Sequence, residues 1–130
     1  MKHQIPTDKF DIETADKLMQ YSYDQIKPII PELLTWIQDL HWPVSEPIAN
    51  YLRTISENLS DNIIEIMEGT DEEWKWSCIQ VFAISADKMP ETAVVEEIRR
   101  IANNPTKGEI KEEVQEVAIE FINGLEKNAP

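Results

Sequence analysis

Asp39 to Leu52 reads DLHWPVSEPIANYL. A Trp-Pro pair stands just ahead of an apolar run, and the reading of that junction decides the fold. Pro43 suits the first position of a helix, where its missing N–H has no intrahelical acceptor to lose. Beyond it Val44, Ile48, Leu52 and Ile55 recur every three or four residues, with Tyr51 beside them. That spacing predicts a helix running to about Leu59.

The same period extends both ways from the junction. Ser22 to Gln25 has the Ser-x-x-Gln form of a capping box and introduces a helix to about Asp39. Pro28 and Pro31 belong in or near its first turn, and Ile30, Leu33, Leu34, Ile37 and Leu40 form its buried stripe. A short helix is expected before it over residues 12–21, with Ile12, Ala15, Leu18 and Met19 on one side. Residues 1–11 read as an extended segment. Downstream, Asp61 can cap a helix that carries Ile63, Ile66 and Met67 and ends at Gly69. Thr70 or Asp71 caps the next, which turns Trp76, Ile79, Phe82, Ala83 and Ala86 inward. Pro90 and Glu91 open a helix through Val94, Val95, Ile98, Ile101 and Ala102, broken by Asn103, Asn104 and Pro105. The last, 107–126, buries Ile110, Val114, Val117, Ala118 and Phe121. No segment sustains a period of two, so the class is all-α.

The junction recurs. DLHWPV from Asp39 and DEEWKW from Asp71 share Asp-x-x-Trp, each opening the second helix of a pair. PIIPELLTWI, NIIEIMEG and AVVEEIRRIA correspond as first helices. An offset of roughly 31–36 residues is near that of HEAT-like hairpins. This favours residues 1–130 as a single helical-repeat domain, a HEAT-like stack of about three antiparallel helix hairpins. A compact orthogonal helix bundle gives a similar pattern and is the alternative.

Charge bounds the partners. The 130 residues hold 25 acidic and 12 basic side chains, a formal charge of −13. Such a chain is repelled by nucleic-acid phosphates and by anionic membranes, so neither is expected as a partner. Another protein, of basic character, is the partner that charge would favour. Acidity also keeps a small protein soluble without any further role. Cys78 is the only cysteine, so no intrachain disulfide can form. The opening MKHQIPTDKFDIE lacks the apolar core of a signal peptide, and no apolar run has the length of a span. A cytoplasmic protein is expected. Nothing in the pattern names an oligomeric state.

Chemistry is sparsely supplied. His3 is near the start of the chain, His41 is at the junction, and Cys78 has no histidine on its own element. Two histidines and one cysteine fall short of a structural zinc set, so no metal or other cofactor is expected. Adjacent glutamates such as Glu72-Glu73 and Glu112-Glu113 point about 100° apart on a helix and read as solvated surface. The tryptophans say more. Trp76 falls on an apolar stripe, whereas Trp42 and Trp74 fall off theirs at equivalent corners of two hairpins. They either wedge between successive helix pairs or form aromatic anchors on a surface. Trp36 flanks its helix and packs between layers.

The run IKPIIPELLTWIQDLHWPVSEPIANYL, with IPTDKFDIETADKL before it, resembles an uncharacterised bacterial family, domain of unknown function 5071. The residues that carry the resemblance are Pro6, Lys9, Asp11, Lys27, Pro28, Pro31, Leu33, Leu34, Trp36, Gln38, Asp39, Trp42, Pro43 and Val44. It implies a small cytoplasmic HEAT-like helical domain and brings no activity, cofactor or catalytic residue. A core alone does not call for Gln38, Asp39 and Pro43. They either orient the hairpin, with Asp39 capping the helix that follows, or line a surface.

Two functions fit. One is a non-catalytic protein-binding module, an adaptor or an immunity-type inhibitor of a basic partner. The other is a small-ligand binder or enzyme with a pocket near Trp36, His41 and Trp42. The candidate binding surface is Trp36, Asp39, His41, Trp42 and Trp74.

Overall fold

The structure, a computed structural model, describes residues 5–127. Their regular elements are all helical, with no strand among them, and the chain is all-α. It divides into two compact units, Met1–Asn58 and Leu59–Pro130.

In the first unit residues 5–11 are bent rather than extended. Asp8 and Asp11 hold them: Phe10 N donates to Asp8 Oδ1 at 2.9 Å and Thr7 N to Asp11 Oδ2 at 2.9 Å. Asp11 also caps α1 (Ile12–Asp16), accepting from Thr14 N. A 3-10 turn, Lys17–Gln20, follows. Ala15 and Leu18 are buried, and α1 packs on α4 (Ser45–Thr54). Ile12 and Met19, expected beside them, are 43% and 61% exposed, because so short a piece of helix covers only one stripe. The capping box forms, with Ser22 N donating to Gln25 Oε1 at 2.9 Å. The helix it starts is broken into α2 (Tyr23–Ile26), a 3-10 turn (Lys27–Ile29) and α3 (Ile30–Thr35). Pro28 and Pro31 bring this about, since neither donates to the preceding turn and both ring systems crowd it. Trp36 to Val44 is a run of turns, so α4 begins two residues after Pro43 and gives way at Thr54 to a 3-10 turn, Ser56–Asn58. Ile48, Ala49, Tyr51 and Leu52 are its buried face, and Tyr51 Oη donates to Tyr21 O at 3.0 Å.

The second unit holds α5 (Ser60–Glu68), α6 (Glu72–Ile79) running into a π-turn (Gln80–Ile84), α7 (Thr92–Asn103), α8 (Lys107–Lys111) and α9 (Val114–Lys127). Helix α7 packs on α5 and α9, and α9 also on α6 and α8. Its inward residues are the expected Val94, Val95, Ile98, Ile101 and Ala102. Two expectations fail here by one residue each. Trp76 is only half-buried; the inward stripe of α6 is Lys75, Cys78, Ile79 and Phe82, a helical i, i+3, i+4, i+7 set whose first member is a lysine. Ile110 is 55% exposed, and Glu109 is the fully buried neighbour. The expected last helix is also two helices. Glu113 adopts the left-handed conformation, φ 64°, which ends α8 and resets the buried face for Val114, Val117, Ala118 and Phe121.

Candidate functional site

Four of the five candidate residues come together in the turn that leads into α4. Ser45, fully buried, ties this turn together. Its hydroxyl lies 2.5 Å from Trp36 O and 2.7 Å from Asp39 O, so one side chain bridges two carbonyls of the turn that follows α3. Val44 N donates to Lys9 O at 3.1 Å and ties the N-terminal segment to the same corner. The Trp36 and Trp42 rings meet edge to face, 5.7 Å between centroids and 71° between planes, both half-buried.

Asp39 does not cap α4. Its Oδ1 accepts from His41 N at 2.8 Å and lies 3.1 Å from His41 Nδ1, so it caps the turn itself. The His41 side chain is 96% exposed. The arrangement is an aromatic corner with one exposed imidazole beside it. Trp74 belongs to the second unit, where it is half-buried in the first turn of α6 and its backbone N–H donates to Asp71 Oδ1. His3 lies outside the described residues. Cys78 is buried, and burial, then the charge of Asp71, pushes its thiol up, which suits packing rather than attack.

The strongest electrostatic feature is one that sequence reasoning missed. Lys75, 2% exposed, reaches Glu109 Oε2 at 2.9 Å and Glu72 Oε1 at 3.2 Å. Arg100 grips the same Glu109 with both terminal nitrogens, at 2.6 and 2.9 Å, and holds Glu97 Oε1 with Nε and Nη2. Thr106 N adds a fourth donor to Glu109, at 2.8 Å, as part of a capping box at the start of α8. Burial raises the Glu109 carboxyl, but the hydrogen bonds from Arg100, Thr106 and Lys75 outweigh it and hold the group down at about 2. Arg100 is correspondingly raised, first by its hydrogen bond to Glu109. Gly108 belongs to the design, since a Cβ there would come within 3.1 Å of Glu72 Oε1.

This network borders a cleft of about 380 Å³ shared with Met67, Gly69 and Thr106. Lys75 and Arg100 already turn toward carboxylates, with which any anionic ligand would have to compete. The network therefore reads as a clamp between α6, α7 and α8. The signal for it in the sequence was TKGE, Thr106 to Glu109, the same Ser/Thr-x-x-Glu/Gln form that marks Ser22.

Among the described residues no group of three His, Cys, Asp or Glu side chains is placed to hold a metal ion, and no helix is long and apolar enough to cross a membrane. No curated protein matches the chain. Residues 4–122 match the model of the family described as Domain of unknown function (DUF5071), and the chain belongs to that family.

Proposed function

We propose that this chain is a non-catalytic protein-binding module for a basic partner, serving as an adaptor or as an immunity-type inhibitor. The observation that carries this is where the charge lies. Residues 59–130 hold sixteen acidic side chains against seven basic ones, while residues 1–58 hold nine against five. Two of the seven, Lys75 and Arg100, are turned onto Glu72, Glu97 and Glu109. The remaining carboxylates, Glu112, Glu113, Glu116 and Glu120 among them, are exposed. A field of this kind speeds encounter with a cationic surface and is screened by salt. HEAT-like stacking of helix pairs suits such a role, and a reducing cytoplasm suits a chain whose one cysteine is a buried thiol.

The test is a tagged pull-down from the native cell at low and high salt, with mass-spectrometric identification. The expected result is a basic protein recovered at low salt and lost at high salt, and lost also when Glu112, Glu113, Glu116 and Glu120 are reversed to lysine. Recovery that survives both would refute an electrostatic module. A second reading, capture of a small ligand at Trp36, Asp39, His41 and Trp42, rests on the exposed imidazole beside the aromatic pair. A metabolite that raises the melting temperature, with the rise lost in Trp42→Ala while the fold is kept, is its expected signature.

A further inference from the structure

The chain has three glycines, and two have work to do within the fold. Gly69 closes α5, and Gly108 makes room for the Glu72 carboxylate. Gly124 has no such task. It lies inside α9, its φ is not positive, and a Cβ added there would meet nothing within 4 Å. Glycine weakens a helix interior, so packing and backbone geometry both leave its presence unexplained. What lies over Gly124 is a groove of about 240 Å³, walled by Ala83 and Ile84 of the π-turn and by Glu120, Phe121 and Leu125 of α9. At about 30 Å³ per water, that is room for roughly eight waters, or for one bulky apolar side chain.

One wall is acidic: Glu120 lines the groove. Glu116 stands one turn before it on the exposed face of α9, with Ile119, 39% exposed, beside them. Neither carboxylate is paired with a cation among the described residues, and like charges at this spacing repel. Glu126 follows, and Lys127 is the one base of α9. The groove also lies at the carbonyl end of the helix, where the macrodipole favours a cation. An apolar slot beside a negative wall calls for an apolar side chain with lysine or arginine beside it.

We infer that this groove receives an apolar side chain from an amphipathic basic segment of the partner, with Gly124 keeping the slot open and Glu116 and Glu120 pairing with the flanking cations. The inference rests on the basic-partner reading and names its surface. The probes are a lysine–leucine amphipathic peptide and an equal-charge counterpart with glutamine in place of leucine. Binding to the full chain is measured by calorimetry at low salt and mapped by amide chemical shifts.

The leucine peptide is expected to bind roughly tenfold or more tightly than the glutamine one, from burial of one large side chain. Its shifts should centre on Ala83, Ile84, Phe121 and Gly124. Gly124→Leu, which fills the slot and adds a good helix former, should bind both peptides alike while keeping its circular dichroism and showing no fall in melting temperature. Discrimination that persists in Gly124→Leu, or shifts that centre elsewhere, would overturn the groove while leaving the basic-partner reading standing. Absence of salt-dependent binding by either peptide would overturn both. A dimer in sedimentation that Gly124→Leu abolishes would give the slot to a second copy of this chain and so overturn the inference.

Discussion

Replacing Glu109 with glutamine keeps the volume of the side chain and removes its charge. Glu109 is fully buried, and Lys75, 2% exposed, would be left with Glu72 as its one carboxylate partner. The magnitude follows from two directions. The carboxyl is held at about 2 against an ordinary 4.5, which at about 1.36 kcal/mol per pH unit is a stabilisation of about 3 kcal/mol. Breaking a buried ion pair from one side costs ~3–5 kcal/mol, and glutamine, which retains one acceptor oxygen, belongs at the low end. For a unit of this size each kcal/mol moves the melting temperature by ~4–8 °C, so a fall of more than about 10 °C is expected at neutral pH. The pH dependence has a definite sign. A depressed carboxylate contributes its full stabilisation above pH 4.5 and loses it as pH falls from there toward about 2. The gap between the native protein and Glu109→Gln should therefore be widest at neutral pH and narrow steadily below pH 4.5, while other acid titrations cancel in the difference. Urea unfolding at neutral pH and at acid pH, read from Trp74 and Trp76 with Trp36 and Trp42 replaced by phenylalanine in both proteins, measures it. A gap below about 1 kcal/mol at neutral pH, or one that does not narrow in acid, would refute the clamp.

Ser45→Ala leaves the carbonyls of Trp36 and Asp39 without their hydroxyl and should cost about 1–3 kcal/mol in urea melts, with a changed near-ultraviolet signal from the Trp36–Trp42 pair. Gly124→Ala should raise stability by about 1 kcal/mol, since the new methyl meets open space within a helix; a loss of stability would mean that the glycine is needed by the fold. Cys78 should resist an aromatic disulfide reagent in the folded protein and react fully once the chain is unfolded; fast native reaction would contradict its burial.

Most of the helices could be read from their apolar period, and where that reading failed the cause is specific. Period analysis assigns a residue to the core by its hydrophobicity, so Trp76 outranked Lys75 and Ile110 outranked Glu109. Lysine and glutamate take those places because each neutralises the other across α6 and α8, a relation between residues 34 positions apart that no local window contains. The breaks within the expected second and last helices have different origins. Pro28 and Pro31 are plain in the sequence, and they break the helix where the apolar period alone continues it. Glu113 carries no residue-type signal for its left-handed φ. At the candidate site the clustering of Trp36, Asp39, His41 and Trp42 was implied by their closeness in sequence. The role of Ser45 was not, because a serine entering a helix ordinarily caps forward, and this one bonds backward to the preceding turn.

A clamp of this kind is an uneconomical way to gain stability, since buried ion pairs recover little more than their desolvation cost. What it does supply is position. Helix α8 has five residues, too few to persist in isolation. Glu109 fixes it to α6 through Lys75 and to α7 through Arg100, and Thr106 closes its first turn on the same carboxylate. Glu113 then turns the chain, and the direction of α9 follows from where α8 was fixed. An apolar substitute for the clamp could bury as much surface, but contacts of that kind slide, and the donors of Arg100 and Lys75 do not. The exposed carboxylates of α9 and the slot over Gly124 are thus set by an interior network that draws two of the unit's cations away from the surface. One arrangement of five charged side chains accounts for both the register of the short helix and the negative face beyond it.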